Sequence, residues 1–306
     1  MVMRTNGGSW ALLMSFNTQY KYHFNAMSVP CEIILYAPKA QKIAHDIQVN
    51  TLRLEKKYNF HQPSSWLNKM LNQRNGSSLK VDSECAKILT RVRHLSQLTD
   101  QVFDICIGTL KDFNLKNKHL TRSELYLLAA PFMGLSCWEI NQLTLTFKFP
   151  QTKFDLGGVI KEYAIDEAIK IAKQAGASGA LINFGGDIAT LGCKDNGKDF
   201  IVAVIDPSNP QKTRFALPLK NQALTTSAHY QRHYQFNDEQ TSHILSSKGT
   251  HKQVISASVV ANSALEAGIY STALTIKPDI TLPDNAAFVL IDPSLNLHQN
   301  TEFISL

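Results

Sequence analysis

The spacing of apolar residues between positions 153 and 192 predicts a helix followed by a buried strand. Apolar residues recur at helical spacing over 159–175, and Gly176 is the kind of residue that ends a helix. The continuous apolar run at 179–184 is typical of a buried strand. Gly185-Gly186 then allows the backbone to approach a ligand closely before Asp187. This layout suits a phosphorylated ligand, although a plain strand, helix and glycine turn of an α/β core would give the same local pattern.

Other segments predict further helices and strands. Apolar residues at helical spacing predict helices over 39–58 and 84–98. Residues 143–149 alternate like a strand with one wet face, and the apolar run 200–205 ends at Asp206-Pro207. Helices and strands interleave without a regular βαβ repeat. Together with the strands on either side of the helix at 159–175, this favours an α+β fold.

Composition is that of a globular protein. The 306 residues are 44% hydrophobic and 18% charged, which is enough to build a substantial core. The formal net charge of +6 is spread along the chain, so it favours an anionic small molecule over nucleic acid. The five cysteines are scattered without a C-x-x-C pair, which indicates neither a disulfide framework nor a structural zinc site.

The beginning of the chain suggests a lead segment. Residues 1–20 are expected to be a flexible N-terminal lead, and 21–306 a single domain. The apolar stretch 11–14 is too short for a signal sequence, and no later run is long enough to span a bilayer. A cytoplasmic location is the expectation.

Six short blocks follow one another along most of the chain. They are Met27-Ser28-Val29-Pro30, Thr99 through Leu110, Asp155 through Asp166, Thr226 through Tyr230, His243 through Ser247, and Ala267 through Leu274. In this order they resemble the M-G-T-P, T-x-G-A-F-D-P-T-x-G-P-L, D-L-G-G-I-A-K-G-Y-A-V-D, T-S-G-x-Y, H-I-L-D-P and A-D-A-x-x-T-A-L blocks of the ApbE family of flavin transferases. Members of that family move FMN from FAD onto a threonine of an acceptor protein.

The resemblance implies a fold, partners and a set of contacts. It implies a T-fold-like architecture in which mixed or antiparallel sheets pack with helices and FAD is held between the two parts of the fold. It also implies two partners, which are FAD and an acceptor protein that carries a threonine flavinylation motif. The positions that fall on or near FAD contacts of the family are Met27, Phe60, Val102, Phe103, Asp104, Asp155, Lys161 and Ile244. At Phe60 the family usually has a tyrosine, so the ring could stack but lacks a hydroxyl.

Two of these polar residues have more than one interpretation. Lys161 stands at the start of a predicted helix, where its ammonium and the helix dipole would both favour phosphate. A solvated helix lysine is the alternative. Asp155 could accept hydrogen bonds from a ribose or the flavin edge, or it could cap the helix.

His243 is the candidate for general acid or base catalysis. The histidine of the family's H-I-L-D-P block is retained here, and its ordinary pKa lies close to neutrality. A purely structural histidine is the alternative.

The predicted metal site departs most from the family. Mg2+ prefers hard oxygen ligands that include a carboxylate, and the aspartate of the A-D-A-x-x-T block falls on Gly268. Ser271, Thr272 and a backbone carbonyl near Gly158 remain as neutral oxygen ligands. Glu266 is two residues away and would point to another face of a helix. Binding of Mg2+ is therefore expected to be weak or lost.

Other departures concern the same predicted site. They are Ser28 and Ala228 in place of glycines, Ser246-Ser247 in place of D-P, and Glu162 in place of the glycine after the lysine. Three functions remain open: an active transferase with an altered metal site, a flavin-binding pseudoenzyme that serves as a carrier or partner subunit, and a scaffold whose pocket is closed.

Overall fold

The computed structural model describes residues 19–228, 233–237, 240–242 and 254–304. The helices found there are α1 Ala40–Tyr58, α2 Ser83–Leu98, α3 Ile107–Lys116, α4 Arg122–Ala129, α5 Gly157–Gln174, α6 Ala264–Ile276 and α7 Thr301–Ile304. Short π and 3-10 helical segments lie at Leu67–Asn72, Ala130–Phe132 and Leu135–Cys137.

The strands lie before, between and after these helices. They are β1 Tyr20–Ala26, β2 Val29–Tyr36, β3 Ser78–Lys80, β4 Trp138–Asn141, β5 Thr144–Phe147, β6 Gly179–Phe184, β7 Asp187–Gly192, β8 Phe200–Asp206, β9 Asn209–Leu219, β10 Ala223–Ala228, β11 His233–Gln235, β12 Gln240–Ser242, β13 Ser256–Ala261, β14 Ala287–Ile291 and β15 Leu297–Gln299.

An eight-stranded sheet forms the centre of the fold. Its order is β1-β2-β6-β7-β10-β13-β14-β15, and every neighbouring pair is antiparallel. Smaller sheets are formed by β3-β5-β4, β8-β9 and β11-β12. The expected α+β class with antiparallel sheets is confirmed.

Each face of the large sheet is covered by a different layer. Side chains alternate between the two faces of a strand, so Ile182 of β6 packs into the core that contains α1, α2, α5 and α6. Its neighbour Leu181 points the other way and packs with Phe200 and Leu217 of the β8-β9 ribbon. This burial on both faces explains why β6 reads as a continuous apolar run.

The predicted helices and strands are present with small shifts at their ends. The predictions at 39–58, 84–98 and 159–175 correspond to α1, α2 and α5, and 143–149 corresponds to β5. The run at 200–205 is β8, but only one of its faces is buried: Ile201 and Ile205 are 61% and 55% exposed. A continuous apolar run therefore does not by itself imply that a strand is buried on both faces.

Helix α5 is tied to α6 where α6 begins. The Asp166 carboxylate accepts hydrogen bonds from the backbone amides of Ala264 and Leu265 at 2.7 and 3.1 Å. Ser263 caps the same helix end by accepting from the amide of Glu266 at 3.3 Å. These bonds satisfy amides that α6 cannot satisfy itself, and they fix the two helices that carry Lys161, Glu162 and Thr272.

The expected N-terminal lead lies mostly outside the described residues, which begin at 19. The division at residue 20 therefore stays a prediction. No helix within the described ranges combines the length and apolar character needed to cross a membrane.

Candidate functional site

A cavity of about 470 Å³ opens where several chain turns meet. Its walls come from the β1-β2 turn, the end of α1, the α2-α3 connection, the start of α5, the β6-β7 turn, β10 and α6. Such a concave, partly polar cavity has the size of a small-molecule site.

Most of the predicted site residues line this cavity. Those of the flavin set are Met27, Phe60, Val102, Phe103, Asp104, Asp155 and Lys161, and those of the metal set are Gly158 and Thr272. Ser271 is fully buried just behind the wall. His243 and Ile244 lie outside the described residues, so their roles stay predictions.

Two tight turns pack against each other at one side of the cavity. Met27 and Ser28 connect β1 to β2 with φ values of 52° and 62°, and the Met27 amide donates to Glu55 Oε1 at 2.8 Å. Gly185 in the β6-β7 turn has a φ of 65°, and a Cβ there would lie 2.7 Å from the Val29 Cβ. Glycine is needed at Gly185 both for its backbone conformation and for this close approach.

Asp155 is held in place by two hydrogen bonds. Its Oδ1 accepts from the amide of Gly157 in the first turn of α5 at 2.8 Å, so the capping interpretation describes one part of its role. Its Oδ2 accepts from Lys111 Nζ at 2.5 Å. Both Asp155 and Lys111 line the cavity, so this corner carries a buried ion pair within reach of a ligand.

The apolar wall comes from the connection between α2 and α3. Ser96 Oγ donates to the Phe103 carbonyl at 2.6 Å and holds this connection against α2. Asp104 accepts from the amides of Cys106 and Gly134, each at 2.8 Å. Burial raises the pKa of Asp104 although these amide hydrogen bonds lower it. The Asp104 carboxylate thus has a structural task as well as a place in the wall.

Phe60 supplies a ring at the end of α1. It is half-buried, and Lys111 Nζ lies 5.7 Å from the ring centroid. An aromatic ring with one accessible face can stack on a flat heterocycle without a hydroxyl group.

Lys161 is an ion-paired residue of the cavity wall rather than a solvated helix lysine. Its side chain is only 19% exposed, and it pairs with Asp187 and with Glu162, whose Oε1 is 3.5 Å from Nζ. Asp187 also accepts from the Thr226 amide at 3.2 Å. Burial raises the pKa of Glu162 to about 7, with the negative charge of Asp187 adding to the rise and the positive charge of Lys161 opposing it. The start of α5 therefore holds one cation between two carboxylates.

Three hydroxyl groups gather between β10 and α6. Ser227 Oγ lies 2.8 Å from Ser271 Oγ and 3.1 Å from Thr272 Oγ1. Ser271 Oγ also donates to the carbonyl of Gly268 at 3.1 Å. The two predicted metal ligands of α6 are thus together, with Ser227 as a third oxygen.

The space that an aspartate side chain would occupy at Gly268 is filled by a side chain from another helix. A Cβ at Gly268 would lie 2.6 Å from Glu162 Cγ and 3.2 Å from Glu162 Cδ. Glu266 takes no part, because it does not line the cavity and pairs with Arg91. The space beside Gly268 therefore holds a carboxylate from α5.

The oxygen ligands around this space have the chemistry that Mg2+ prefers. They are the Glu162 and Asp187 carboxylates and the hydroxyls of Ser271 and Thr272. One oxygen of Glu162, Oε2, is buried without a hydrogen-bond partner. Within the described ranges no group of three or more His, Cys, Asp or Glu is arranged to hold a metal. The residues present fit a hard cation bound by carboxylate and hydroxyl oxygens, and they do not fit a transition-metal centre.

The cysteines behave as buried apolar residues. Cys31, Cys85, Cys106 and Cys137 are buried, and all five cysteines are free. Burial raises the pKa of Cys31 to about 11 and that of Cys85 to about 12. Thiols with such pKa values are poor nucleophiles near neutrality.

Several wall residues escaped the sequence analysis. Lys111, Glu55 and Asp187 reach the cavity from the middle of α3, the end of α1 and the start of β7. Lys111 and Glu55 are charged residues on helices, which usually face solvent. Asp187 could have been predicted as a site residue, because it directly follows the glycine pair after the buried strand.

Comparison with known proteins places these features in a family. The ApbE family model matches residues 27–285. The FAD:protein FMN transferase of Klebsiella pneumoniae (strain 342) is 27% identical over 210 residues, which cover 64% of this chain and 60% of that protein. A protein with the same name from Buchnera aphidicola subsp. Schizaphis graminum is 24% identical over 284 residues, covering 86% of this chain and 82% of that protein. The chain thus spans less than two thirds of the Klebsiella relative.

Solved structures share the fold. The ApbE protein of Thermotoga maritima has a TM-score of 0.83 at 22% identity, with 94% of this chain and 99% of that chain covered. The flavin transferase ApbE of Vibrio cholerae has a TM-score of 0.78 at 17% identity over 94% and 99% of the two chains. Because the family model matches most of the chain and the folds agree, this protein belongs to the ApbE family.

Proposed function

We propose that this protein is an FAD:protein FMN transferase, which moves FMN from FAD onto a threonine of an acceptor protein and releases AMP. The observation that carries the proposal is one cavity of the described residues, whose wall contains residues from the β1-β2 turn through α6 that the resemblance assigned to flavin and metal contacts. Family membership and the names of the relatives support it.

Different residues of the cavity suit the flavin ring and the pyrophosphate of FAD. The half-buried ring of Phe60 and the apolar side chains Val102 and Phe103 suit the isoalloxazine ring. Lys161 at the start of α5 suits the pyrophosphate, where its charge adds to the positive end of the helix dipole. Asp155 offers carboxylate oxygens for a ribose hydroxyl or a flavin N-H.

The proposed reaction is a displacement at the FMN phosphorus. The threonine oxygen forms a bond to phosphorus, the bond from that phosphorus to the AMP phosphate oxygen breaks, and the threonine proton passes to a base. His243 is the proposed base. Negative charge grows on the departing phosphate, and Lys161 is placed to balance it. A divalent cation bound beside Thr272 would share this charge stabilisation.

A second function is favoured by one contact. The pairing of Lys161 with Asp187 competes with phosphate for the same ammonium group. A protein in which this pair persists would bind the flavin end of FAD without turnover, which corresponds to a flavin-binding pseudoenzyme.

Product analysis separates the two functions. The protein is incubated with FAD, Mg2+ and an acceptor protein that carries the threonine flavinylation motif. The transferase should yield AMP and acceptor-bound flavin in equal amounts, and an acceptor in which that threonine is replaced by valine is the matched control. Binding of FAD with neither product would overturn the transferase in favour of the pseudoenzyme, and AMP without bound flavin would indicate a hydrolase.

A further inference from the structure

Glu162 and Gly268 occupy one space although they lie on different helices. Glu162 is buried in α5, and its Cγ would lie 2.6 Å from a Cβ at Gly268 in α6. Any larger residue at 268 would have to displace the Glu162 side chain. The two residues are therefore matched: the missing side chain of one makes room for the other.

The Glu162 carboxylate has an unused oxygen. Oε1 lies 3.5 Å from Lys161 Nζ, whereas Oε2 is buried and has no hydrogen-bond partner. Burying a carboxylate oxygen without a hydrogen-bond partner costs free energy. A bound ligand or ion that contacts the oxygen would offset this cost. Glu162 also lines the cavity, so a bound group can reach it.

Further side-chain oxygen atoms line the same cavity. Thr272 lies one helical turn from Gly268, on the same side of α6, and its hydroxyl is 3.1 Å from Ser227 Oγ. Asp187 reaches the same part of the wall through its ion pair with Lys161. Two carboxylates and a hydroxyl facing a cavity form a set of ligands for a hard divalent cation.

We propose that the Glu162 carboxylate is the charged ligand of a divalent-cation site at the head of α5, and that it replaces from α5 the side chain that α6 lacks at Gly268. Thr272 and Asp187 provide neighbouring oxygens. The inference rests on the proposed function, because the cation would serve the pyrophosphate of FAD. It also gives the substitution at Gly268 a different meaning: the carboxylate has moved to the facing helix.

Binding of Mn2+ tests the ligand directly. Mn2+ stands in for Mg2+ and its free concentration is measured by electron paramagnetic resonance, with and without FAD. Glu162→Gln keeps the volume of the side chain and removes its charge, so it should weaken Mn2+ binding about tenfold or more. Glu266→Gln is the matched control, since it removes another buried carboxylate that pairs with Arg91 away from the cavity, and it should leave Mn2+ binding unchanged.

An exchange of the two residues tests the shared space. Gly268→Asp alone should lower the thermal midpoint of the ligand-free protein, because the new side chain meets Glu162. Glu162→Gly alone should lose Mn2+ binding. The double variant Glu162→Gly, Gly268→Asp should recover both the midpoint and Mn2+ binding, so the two substitutions should be strongly non-additive.

The outcomes distinguish this inference from the proposed function. Mn2+ binding that is equal in the natural protein and Glu162→Gln, or absent from the natural protein, would overturn the role of Glu162. Absence of AMP and of transferred flavin, with Mn2+ binding intact and dependent on Glu162, would overturn the transferase function and leave the cation site standing.

Discussion

Ser28 holds an unfavourable backbone conformation in the turn between β1 and β2. Both turn residues, Met27 and Ser28, have positive φ, which matches the type I′ turns that join two-residue hairpins. Glycine is favoured at the second of these positions because it lacks a Cβ. The serine found there lies exposed at the cavity edge.

Ser28→Gly should therefore stabilise the ligand-free protein. Serine in the left-handed conformation costs more free energy than the extra conformational entropy of glycine in the unfolded chain. We therefore expect the free energy of unfolding to rise by about 0.5 to 1 kcal/mol. Denaturant titration measures it. Ser28→Ala keeps the strain and should give no gain; an equal gain from both variants would contradict the explanation.

Lys161 should contribute to phosphate binding rather than to flavin binding. Lys161→Ala should weaken FAD binding about tenfold to a hundredfold, the range of a lost charge-assisted hydrogen bond, and should leave riboflavin binding nearly unchanged. Flavin fluorescence titration measures both. Lys173→Ala, an exposed lysine on the same helix, is the control. Equal losses for FAD and riboflavin would indicate a collapsed cavity instead.

At the residue scale, the sequence identified the positions that depart from the family pattern but not which of them are in contact. It found Glu162 and Gly268 as two separate departures from the family pattern at one predicted site. Only the packing of α5 on α6 shows that they meet. Contact between residues far apart in the chain depends on tertiary structure, which no local pattern contains.

Helices α1 and α2 are joined by a charged cluster around Glu84. Arg53 and Lys57 of α1 donate to this carboxylate, with nitrogen to oxygen distances of 2.5 and 2.9 Å. Burial alone would raise the pKa of Glu84, but the hydrogen bonds from Arg53 and Lys57 outweigh it and lower the pKa to about 2. The ionised form is therefore favoured by folding.

The stability of the protein should consequently fall in acid. A lowered folded-state pKa means that the contribution of Glu84 is complete above the unfolded pKa and is lost as the pH falls from about 4.5 toward 2. We expect a loss of about 1 to 2 kcal/mol from this group after solvent screening. Unfolding measured across this range should show a shallower slope for Glu84→Gln than for the natural protein, whereas Asp46→Asn, in an exposed pair with Lys42, should keep the natural slope.

Helix α3 is packed directly on the segment that carries Asp155. A Cβ at Gly108 would lie 2.7 Å from the Phe154 carbonyl carbon and 2.8 Å from the Asp155 amide nitrogen. The backbone of α3 can approach this closely only because residue 108 has no side chain. The position of Asp155 thus depends on a glycine in another element.

Gly108→Ala should disturb stability and the site together. The added methyl group should cost about 1 to 3 kcal/mol of unfolding free energy and weaken FAD binding, because the segment 153–155 must move. Calorimetry and flavin titration measure the two effects. Gly76→Ala is the control, since a Cβ there has its nearest neighbour at 3.8 Å. Unchanged FAD binding in Gly108→Ala would mean that FAD binding does not depend on the position of Asp155.

At the element scale, periodicity predicted the long amphipathic elements well. Helices α1, α2 and α5 each present one apolar face to the core, so their 3.6-residue period is visible in the sequence. The short helix α4 and the π-helical turn at 67–72 carry too few residues for a period to emerge. Strand order was also out of reach, because the pairing of β2 with β6 is set by packing across the whole sheet.

The whole molecule is a sheet with different coverings on its two faces. Helices cover one face and the β8-β9 ribbon covers the other. The resemblance gave this architecture in outline, whereas the residues alone gave only an α+β class. The cavity could be predicted only through the resemblance, because its walls share no local pattern: turns, helix ends and a strand end contribute one or two side chains each.

The residues that line the cavity are spread along the chain, and this constrains when the site can form during synthesis. They run from Met27 to Ile276, so no early portion of a growing polypeptide contains a complete site. During synthesis, which proceeds from the N-terminus, a complete cavity for the proposed ligand FAD can form only after α6 has left the ribosome and packed against α5. Quenching of flavin fluorescence during refolding should accordingly appear in the last phase, and quenching before the helices α5 and α6 pair would contradict this order.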